Sequence, residues 1–80
     1  MNDSFTGISL DPGVLGGEAH ISDTRIPVWL LVQARRLGVT DADLVRDYPT
    51  LSARDMANAT DYARTHAEEI DQAITENEAG

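Results

Sequence analysis

The chain changes character at Pro27, and this change constrains the fold more than any other feature. Before the proline, turn residues separate short β-type stretches of only three residues, at positions 8–10 and 19–21, each with a polar residue between two apolar ones. After it, apolar residues recur at the three- and four-residue spacing of an α-helix. The sequence therefore predicts a short N-terminal β-hairpin segment followed by a helical part.

Local start and stop signals divide this helical part. The first helix is expected to begin directly after the proline and to cover residues 28–37, because Gly38 is a favoured residue just beyond a helix end. Thr40 is an N-cap candidate, and the residue before Pro49 disfavours the α conformation. A second helix is therefore predicted over residues 41–48.

The third predicted helix is the longest. Ser52 and Asp55 have the spacing of a capping box, and no glycine or proline interrupts the chain from there to Gly80. A single apolar stripe follows this segment: Met56, Ala59, Ala63, Ala67, Ile70 and Ile74. A helix of about 24 residues spans about 36 Å, more than a small domain covers. The second half of the stripe is therefore predicted to bind a partner or a second copy of the chain.

The length of 80 residues fits one domain. We expect a mainly α, three-helix, helix-turn-helix-like domain, with a flexible start at residues 1–7, a β and turn segment at 8–26, the helical part at 27–74, and a frayed acidic tail at 75–80. So short a chain buries only about 60% of its unfolded surface. The thin core also favours a homodimer.

Charge and composition exclude several classes of protein. The net charge is −8 and all six basic residues are arginine, so the chain lacks the overall basic character of many nucleic-acid-binding proteins. The absence of cysteine excludes disulfides, a thiol nucleophile and a cysteine zinc site. No apolar run approaches the length of a membrane span, and the N-terminus does not resemble a signal peptide. No membrane association and a cytoplasmic location are expected.

The second and third predicted helices, with the short turn between them, resemble a helix-turn-helix. In that geometry the first turns of the second helix enter the major groove of DNA. Ser52, Arg54 and Asn58 would then face the bases, and Arg46 would reach a phosphate. The alternative is the corner of an ordinary three-helix bundle, which uses the same turn chemistry.

No catalytic or metal-binding set is evident. His66 and Glu69 share a helix face, but a zinc site needs at least three protein ligands. His20 is most simply a side chain that caps a turn, and the glycine pair at 16–17 lacks the spacing of a phosphate loop. We therefore predict no enzyme activity, no metal and no cofactor.

Several short motifs, in a fixed order, resemble a known prokaryotic family. They are Asp11-Pro12-Gly13, Gly16-Gly17, Thr24-Arg25-Ile26-Pro27-Val28, Tyr48-Pro49-x-Leu51-Ser52 and the segment from Ala59 to Ile70. Together they resemble the DUF433 family, a domain of unknown function, over residues 8–70. Two positions depart from its pattern: Asp23 stands where glycine is usual, and Glu18–Ala19 where a basic residue and proline are usual.

The resemblance implies an antitoxin of a type II toxin–antitoxin pair, with a PIN-like ribonuclease as the toxin partner. Many antitoxins of such toxins insert an arginine among the acidic residues of the nuclease site. The C-terminal tail of this chain contains no arginine, so Arg25 or Arg64 would have to serve, or inhibition would be steric.

The first hypothesis is therefore a non-enzymatic antitoxin that dimerises, binds a toxin, and regulates its own operator DNA. Its predicted partner or dimer interface comprises Arg25, Ala63, Arg64, Ala67, Ile70 and Ile74. A free-standing helix-turn-helix regulator with no toxin is the second hypothesis, and a subunit that only scaffolds another enzyme is the third. A small nuclease encoded in the neighbouring reading frame would favour the first.

Overall fold

Two short antiparallel strands and four α-helices make up the part of the chain that the computed structural model describes, residues 6–79. The elements are β1 (Ile8–Ser9), β2 (His20–Ile21), α1 (Val28–Arg36), α2 (Asp41–Asp47), α3 (Ala53–Thr65) and α4 (Ala67–Ala79). The predicted mainly α fold with an N-terminal hairpin is confirmed, although there are four helices rather than three. Residues 1–5 of the predicted flexible start lie outside the described residues.

The hairpin places one face against the helices. Ile8 pairs with Ile21, and Ser9 pairs with His20. Because directly paired residues of antiparallel strands point to the same face, the two isoleucines share one face and the polar pair shares the other. Ile8 and Ile21 belong to the hydrophobic core, so the hairpin is anchored to the helical part through this face.

Both predicted helix caps are formed. The Thr40 hydroxyl accepts a hydrogen bond from the backbone N–H of Asp43 at 3.1 Å. Ser52 and Asp55 make the reciprocal capping box, in which each side chain accepts a bond from the other residue's backbone N–H, at 3.1 and 2.9 Å. These bonds satisfy backbone donors that a helix start leaves without a partner, which is why α2 and α3 begin where the sequence predicts.

The core lies between α1 and the later helices. Val28 and Leu31 of α1 are almost fully buried, and α1 packs against both α3 and α4. The other buried apolar residues are Ile8, Ala19, Ile21, Leu44, Leu51, Met56, Ala59, Tyr62, Ile70 and Ile74. Ile70 and Ile74 therefore complete the core of the chain itself.

The prediction of one uninterrupted third helix is wrong, because α3 ends at Thr65 and His66 is its C-cap. The backbone there leaves the helical conformation, with φ −127° and ψ 41°. The His66 ring stacks on Tyr62 with centroids 4.0 Å apart, and the Tyr62 hydroxyl donates to both carboxylate oxygens of Glu69 at 3.0 Å. These contacts hold the start of α4 against α3 while α4 turns back onto α1.

The C-terminal part of α4 also differs from the sequence prediction. Residues 75–79 continue α4 instead of forming a frayed acidic tail. Two polar contacts join this helix to α1: Arg36 pairs with Asp71 at 2.5 Å, and the Gln33 amide donates to Glu78 at 3.3 Å. The C-terminal part of α4 is therefore held against α1, and its acidic side chains are exposed to solvent.

Candidate functional site

The corner between α2 and α3 is the first candidate site. Leu51 is buried beneath it, and the backbone N–H of Leu51 donates to the Tyr48 carbonyl at 2.8 Å, which closes the turn. This arrangement matches the sequence interpretation of two helices joined by a short turn. A DNA-binding role requires that the predicted contact residues be exposed and that their polar groups not be bound already by other residues of the chain.

Arg54 meets this requirement. It lies exposed in the first turn of α3, and its side chain makes no ion pair or hydrogen bond within residues 6–79. Ser52 is exposed beside it, but its hydroxyl already accepts the bond that caps α3. The Ser52 hydroxyl can still donate its O–H, but Arg54 is the residue whose whole polar group is available for a partner.

Arg46 is held by carboxylates of its own helix. Its guanidinium is 2.7 Å from Asp43 and 3.7 Å from Asp47. The hydrogen bond from Thr40 and then the one from Arg46 lower the pKa of Asp43 below its usual value, so this carboxylate stays ionised. A phosphate would have to compete with both aspartates for Arg46.

Asn58 faces the N-terminal segment. Its side chain is half-buried, and its amide lies so close to Gly7 that any larger residue at position 7 would collide with it. Gly7 also has φ +76°, a conformation that suits glycine. Arg54 and Asn58 are one helical turn apart as predicted, but the start of the hairpin covers the second of them.

The residues predicted to form a partner interface do not make one surface. Ile70 and Ile74 are only 3% and 5% exposed, so the chain's own core already covers them. Ala63 is half-buried against the same core, whereas Ala67 is exposed at the start of α4. Because the long helix is broken, its length no longer supports dimerisation, which stays an untested prediction.

The arginines of the chain divide into paired and unpaired groups. Arg35 binds Asp41 through two bonds of 2.8 and 2.9 Å, and Arg64 binds Asp61 at 3.1 Å. Arg36 and Arg46 have the carboxylate partners described above. Within residues 6–79 this leaves two unpaired cations, Arg54 and Arg25.

Arg25 lies on a tightly bonded turn between β2 and α1. The Thr24 hydroxyl donates to the Ile21 carbonyl at 2.7 Å and accepts from the Ile26 backbone N–H at 3.0 Å. A backbone bond of 2.9 Å from the Ile21 N–H to the Ile26 carbonyl closes the turn. Asp23 adopts φ +65°, a conformation that suits glycine better than other residues. The turn therefore presents an exposed Arg25 from a fixed backbone.

The other members of the motif at residues 24–28 have roles inside the domain. Thr24 fixes the turn, Ile26 packs on the core, Pro27 precedes the first turn of α1, and Val28 is fully buried. Arg25 has no such role. Sequence reasoning named Arg25 only as one of two alternatives, because the pairing of Arg64 with Asp61 and the bonds of the turn are visible only in the structure.

Two further features of the described residues bear on function. No group of three or more His, Cys, Asp or Glu side chains in residues 6–79 is arranged to hold a metal ion. Within the same range, no helix has the length and apolar character needed to cross a bilayer. The exposed, unpaired arginines mark two candidate sites, the corner at Arg54 and the turn at Arg25.

Comparison with known proteins places this fold in a family. Residues 8–63 match the family described as protein of unknown function (DUF433). The crystal structure of a DUF433 member protein from Anabaena variabilis ATCC 29413 is similar at a TM-score of 0.83 and 45% identity, over 86% of this chain and 68% of the other. No curated protein matches the chain. The match over most of the sequence, together with the similar solved fold, shows that the chain belongs to the DUF433 family.

Proposed function

We propose that the protein is an antitoxin that binds and neutralises a PIN-like ribonuclease toxin, and that Arg25 is the residue it presents to the acidic site of that nuclease. The observation that carries this proposal is the exposed, unpaired guanidinium of Arg25 on a turn fixed by the hydroxyl of Thr24. The proposal includes no enzyme activity and no cofactor of the chain's own.

The chemistry of the turn supports this assignment. A guanidinium binds carboxylates through two parallel hydrogen bonds, which suits a cluster of acidic side chains around a metal. A turn that is already fixed loses little conformational freedom on binding, so more of the contact energy appears as affinity. Arg64, the other candidate, would first have to leave Asp61.

The experiment is co-expression with the product of the neighbouring reading frame, followed by co-purification and an RNA-cleavage assay. Arg25→Glu should weaken the complex by about 30-fold or more, since losing one partner of a buried charge pair costs about 2 kcal/mol or more. Arg54→Glu is the matched control, because it makes the same charge change at the other exposed, unpaired arginine. Equal affinities of the two variants would refute the role of Arg25, and the absence of a complex would refute the antitoxin assignment.

The second candidate function is a free-standing DNA-binding regulator, which the exposed Arg54 at the start of α3 favours. The net charge of −8, the ion pairs of Arg46 and the position of Asn58 against Gly7 all oppose it. A gel-shift assay with the DNA upstream of the gene separates the two functions. A regulator should lose discrimination at one base step in Arg54→Ala, at a cost of about 1–3 kcal/mol, while Arg25→Ala leaves the shift unchanged.

The two functions combine if the turn at Arg25 binds the toxin while the corner at Arg54 binds the operator DNA. In that case the shift should appear only when the toxin is present, because the partner would supply positive charge that this chain lacks. Dimerisation and a cytoplasmic location stay predictions from the sequence.

A further inference from the structure

The junction between α3 and α4 is only one residue long. His66 separates the two helices, and its backbone N–H still donates to the Tyr62 carbonyl at 2.9 Å. Within residues 6–79, the backbone N–H groups of residues 67–69 do not reach the carbonyls of residues 63–65, as they would in one continuous helix. No proline or glycine requires a bend at this point. A local change in backbone conformation at His66 would therefore restore these helical bonds and join α3 to α4.

The buried apolar residues of the two helices would lie on one side of such a straight helix. Met56 and Ala59 belong to α3, Ile70 and Ile74 belong to α4, and their spacing follows the helical repeat through the junction. In the straight form the α3 half of this stripe can still pack on its own α1. The two isoleucines, however, would extend beyond the domain into water. A straight form of a single chain is therefore unfavourable.

A second copy of the chain removes this exposure. Because α1 packs against both α3 and α4, a straightened chain leaves the α4 side of its α1 uncovered. The α4 of the second copy can cover that side with the contacts seen within one chain: two isoleucines in the core, and an ion pair between Arg36 and Asp71. The exchange is mutual, so the assembly closes as a symmetric dimer.

The attachment of α4 within one chain is suited to such an exchange. Its two polar links to α1 lie at the surface, where ion pairs and hydrogen bonds contribute little. A cavity of about 260 Å³, lined by Trp29 and by Ala73 of α4, interrupts the apolar packing beside Ile70. The burial of Ile70 and Ile74 is therefore the main interaction that holds α4, and it is the same whether α4 comes from its own chain or from another.

We propose that α4 exchanges between two copies of this chain, giving a dimer in which each copy has one continuous helix from α3 through α4. The interaction surface is the side of α1 that α4 covers in the single chain, and its partner is the α4 of the second copy. The dimer keeps the buried isoleucines and regains the helical bonds at the junction. Association costs translational and rotational freedom, and the net charge of −8 on each copy opposes it. The single chain therefore prevails in the dilute solutions of unfolding measurements, and the dimer forms at high protein concentration, more readily in high salt.

Cross-linking distinguishes this exchange from ordinary association of two closed chains. The sequence has no cysteine, so Gln33→Cys with Glu78→Cys places the only two thiols at positions on α1 and α4 that contact each other. The protein is refolded from urea at high concentration under reducing conditions. Monomer and dimer are then separated by size-exclusion chromatography, diluted and treated with a short bismaleimide.

Exchange predicts that the dimer gives a cross-linked product of twice the chain mass on a denaturing gel. The monomer fraction is the control for the reach of the reagent, because both thiols then belong to one chain and the product has the mass of a single chain. A product of single-chain mass from the dimer would show that α4 stays on its own α1. That result, or the absence of a dimer in high salt at high concentration, would overturn the proposal.

Substitutions at the junction change the balance between the two forms. Ala67 is exposed and is the first residue of α4, a position where proline is favoured. In a continuous helix the same position is interior, where proline removes a hydrogen bond and collides with the preceding turn. Ala67→Pro should therefore keep the fold of the single chain and lower the dimer fraction by about 10-fold or more. Ala67→Gly, which is milder, should lower it by about 5-fold.

His66→Ala is the opposite variant, because alanine is the strongest helix former at the junction itself. It should raise the dimer fraction above that of the unmodified protein under the same refolding conditions. Circular dichroism of each monomer fraction checks that the variants are folded. Equal dimer fractions in His66→Ala, Ala67→Gly and Ala67→Pro would refute a continuous helix in the dimer. These measurements do not involve the toxin, so their outcome is independent of the proposed function.

Discussion

Replacing Ile70 with alanine distinguishes a core role for α4 from a role in binding a partner. Ile70 is 3% exposed and lines a cavity together with Trp29 at the interface of α4 with the rest of the chain. Truncating a buried isoleucine to alanine costs about 2–5 kcal/mol. A domain of this length has a total stability of only about 4–12 kcal/mol. We therefore expect Ile70→Ala to remove a large part of the free energy of unfolding.

Urea unfolding, followed by Trp29 fluorescence and far-ultraviolet circular dichroism, measures this loss. Trp29 is the one tryptophan of the sequence, so its fluorescence reports on the contact with α4 without interference. The unfolding midpoint should fall strongly in Ile70→Ala with little change in the slope. Leu37→Ala is the control: Leu37 is 77% exposed, so its truncation should change stability by about 0.5 kcal/mol or less.

Protein concentration decides between the two roles. If α4 completes the core of a single chain, the midpoint of the unmodified protein is the same at concentrations tenfold apart. If α4 is instead an interface between chains, the unfolding midpoint of the unmodified protein should rise with protein concentration. The midpoint of Ile70→Ala should then no longer depend on concentration. A loss below about 1 kcal/mol in Ile70→Ala would refute the reasoning from burial.

Three further outcomes follow from local interactions. Ser52→Ala should lower the free energy of unfolding by about 1 kcal/mol through loss of the α3 cap, whereas Thr50→Ala in the adjoining turn should change it by less than about 0.5 kcal/mol in the same urea titration. Gly38→Ala should cost about 1 kcal/mol, because Gly38 has φ +92° and a methyl group there meets no neighbouring atom, so only the backbone strain is felt. Burial and then the Glu69 carboxylate raise the pKa of Tyr62 to about 12, above its value of 10.0 in the unfolded chain. Stability from this group is therefore present below pH 10 and is lost as pH rises through about 12, and Tyr62→Phe should remove that slope in alkaline unfolding curves.

The candidate sites were predictable only in part. The motif at residues 24–28 and the spacing of Arg54 after Ser52 are visible in the sequence, and both arginines were named there. The sequence does not show which cations are already neutralised, because Arg35 and Arg36 pair with aspartates 6 and 35 residues away. Arg46 and Arg64 pair with aspartates of their own helices. Within residues 6–79, Arg25 and Arg54 are therefore the arginines that remain unpaired.

Local chemistry determined the limits of most elements. The proline before α1, the hydroxyl caps at Thr40 and Ser52, and Pro49 after α2 act on their immediate neighbours, so their effect can be inferred without tertiary contacts. The short hairpin strands followed in the same way from triplets of alternating apolar and polar residues between turn residues. The sequence by itself therefore specified a mainly α domain with a small N-terminal hairpin.

Only the tertiary structure decided that the last helix is two helices. The apolar stripe runs through His66 with unbroken helical spacing, and no glycine or proline marks the break. The break lets Ile70 and Ile74 turn onto α1 and enter the core. Burying two isoleucines is worth about 3–6 kcal/mol, which outweighs the loss of regular helical bonding at one residue. This balance depends on contacts between residues distant in sequence, so periodicity along the chain cannot reveal it.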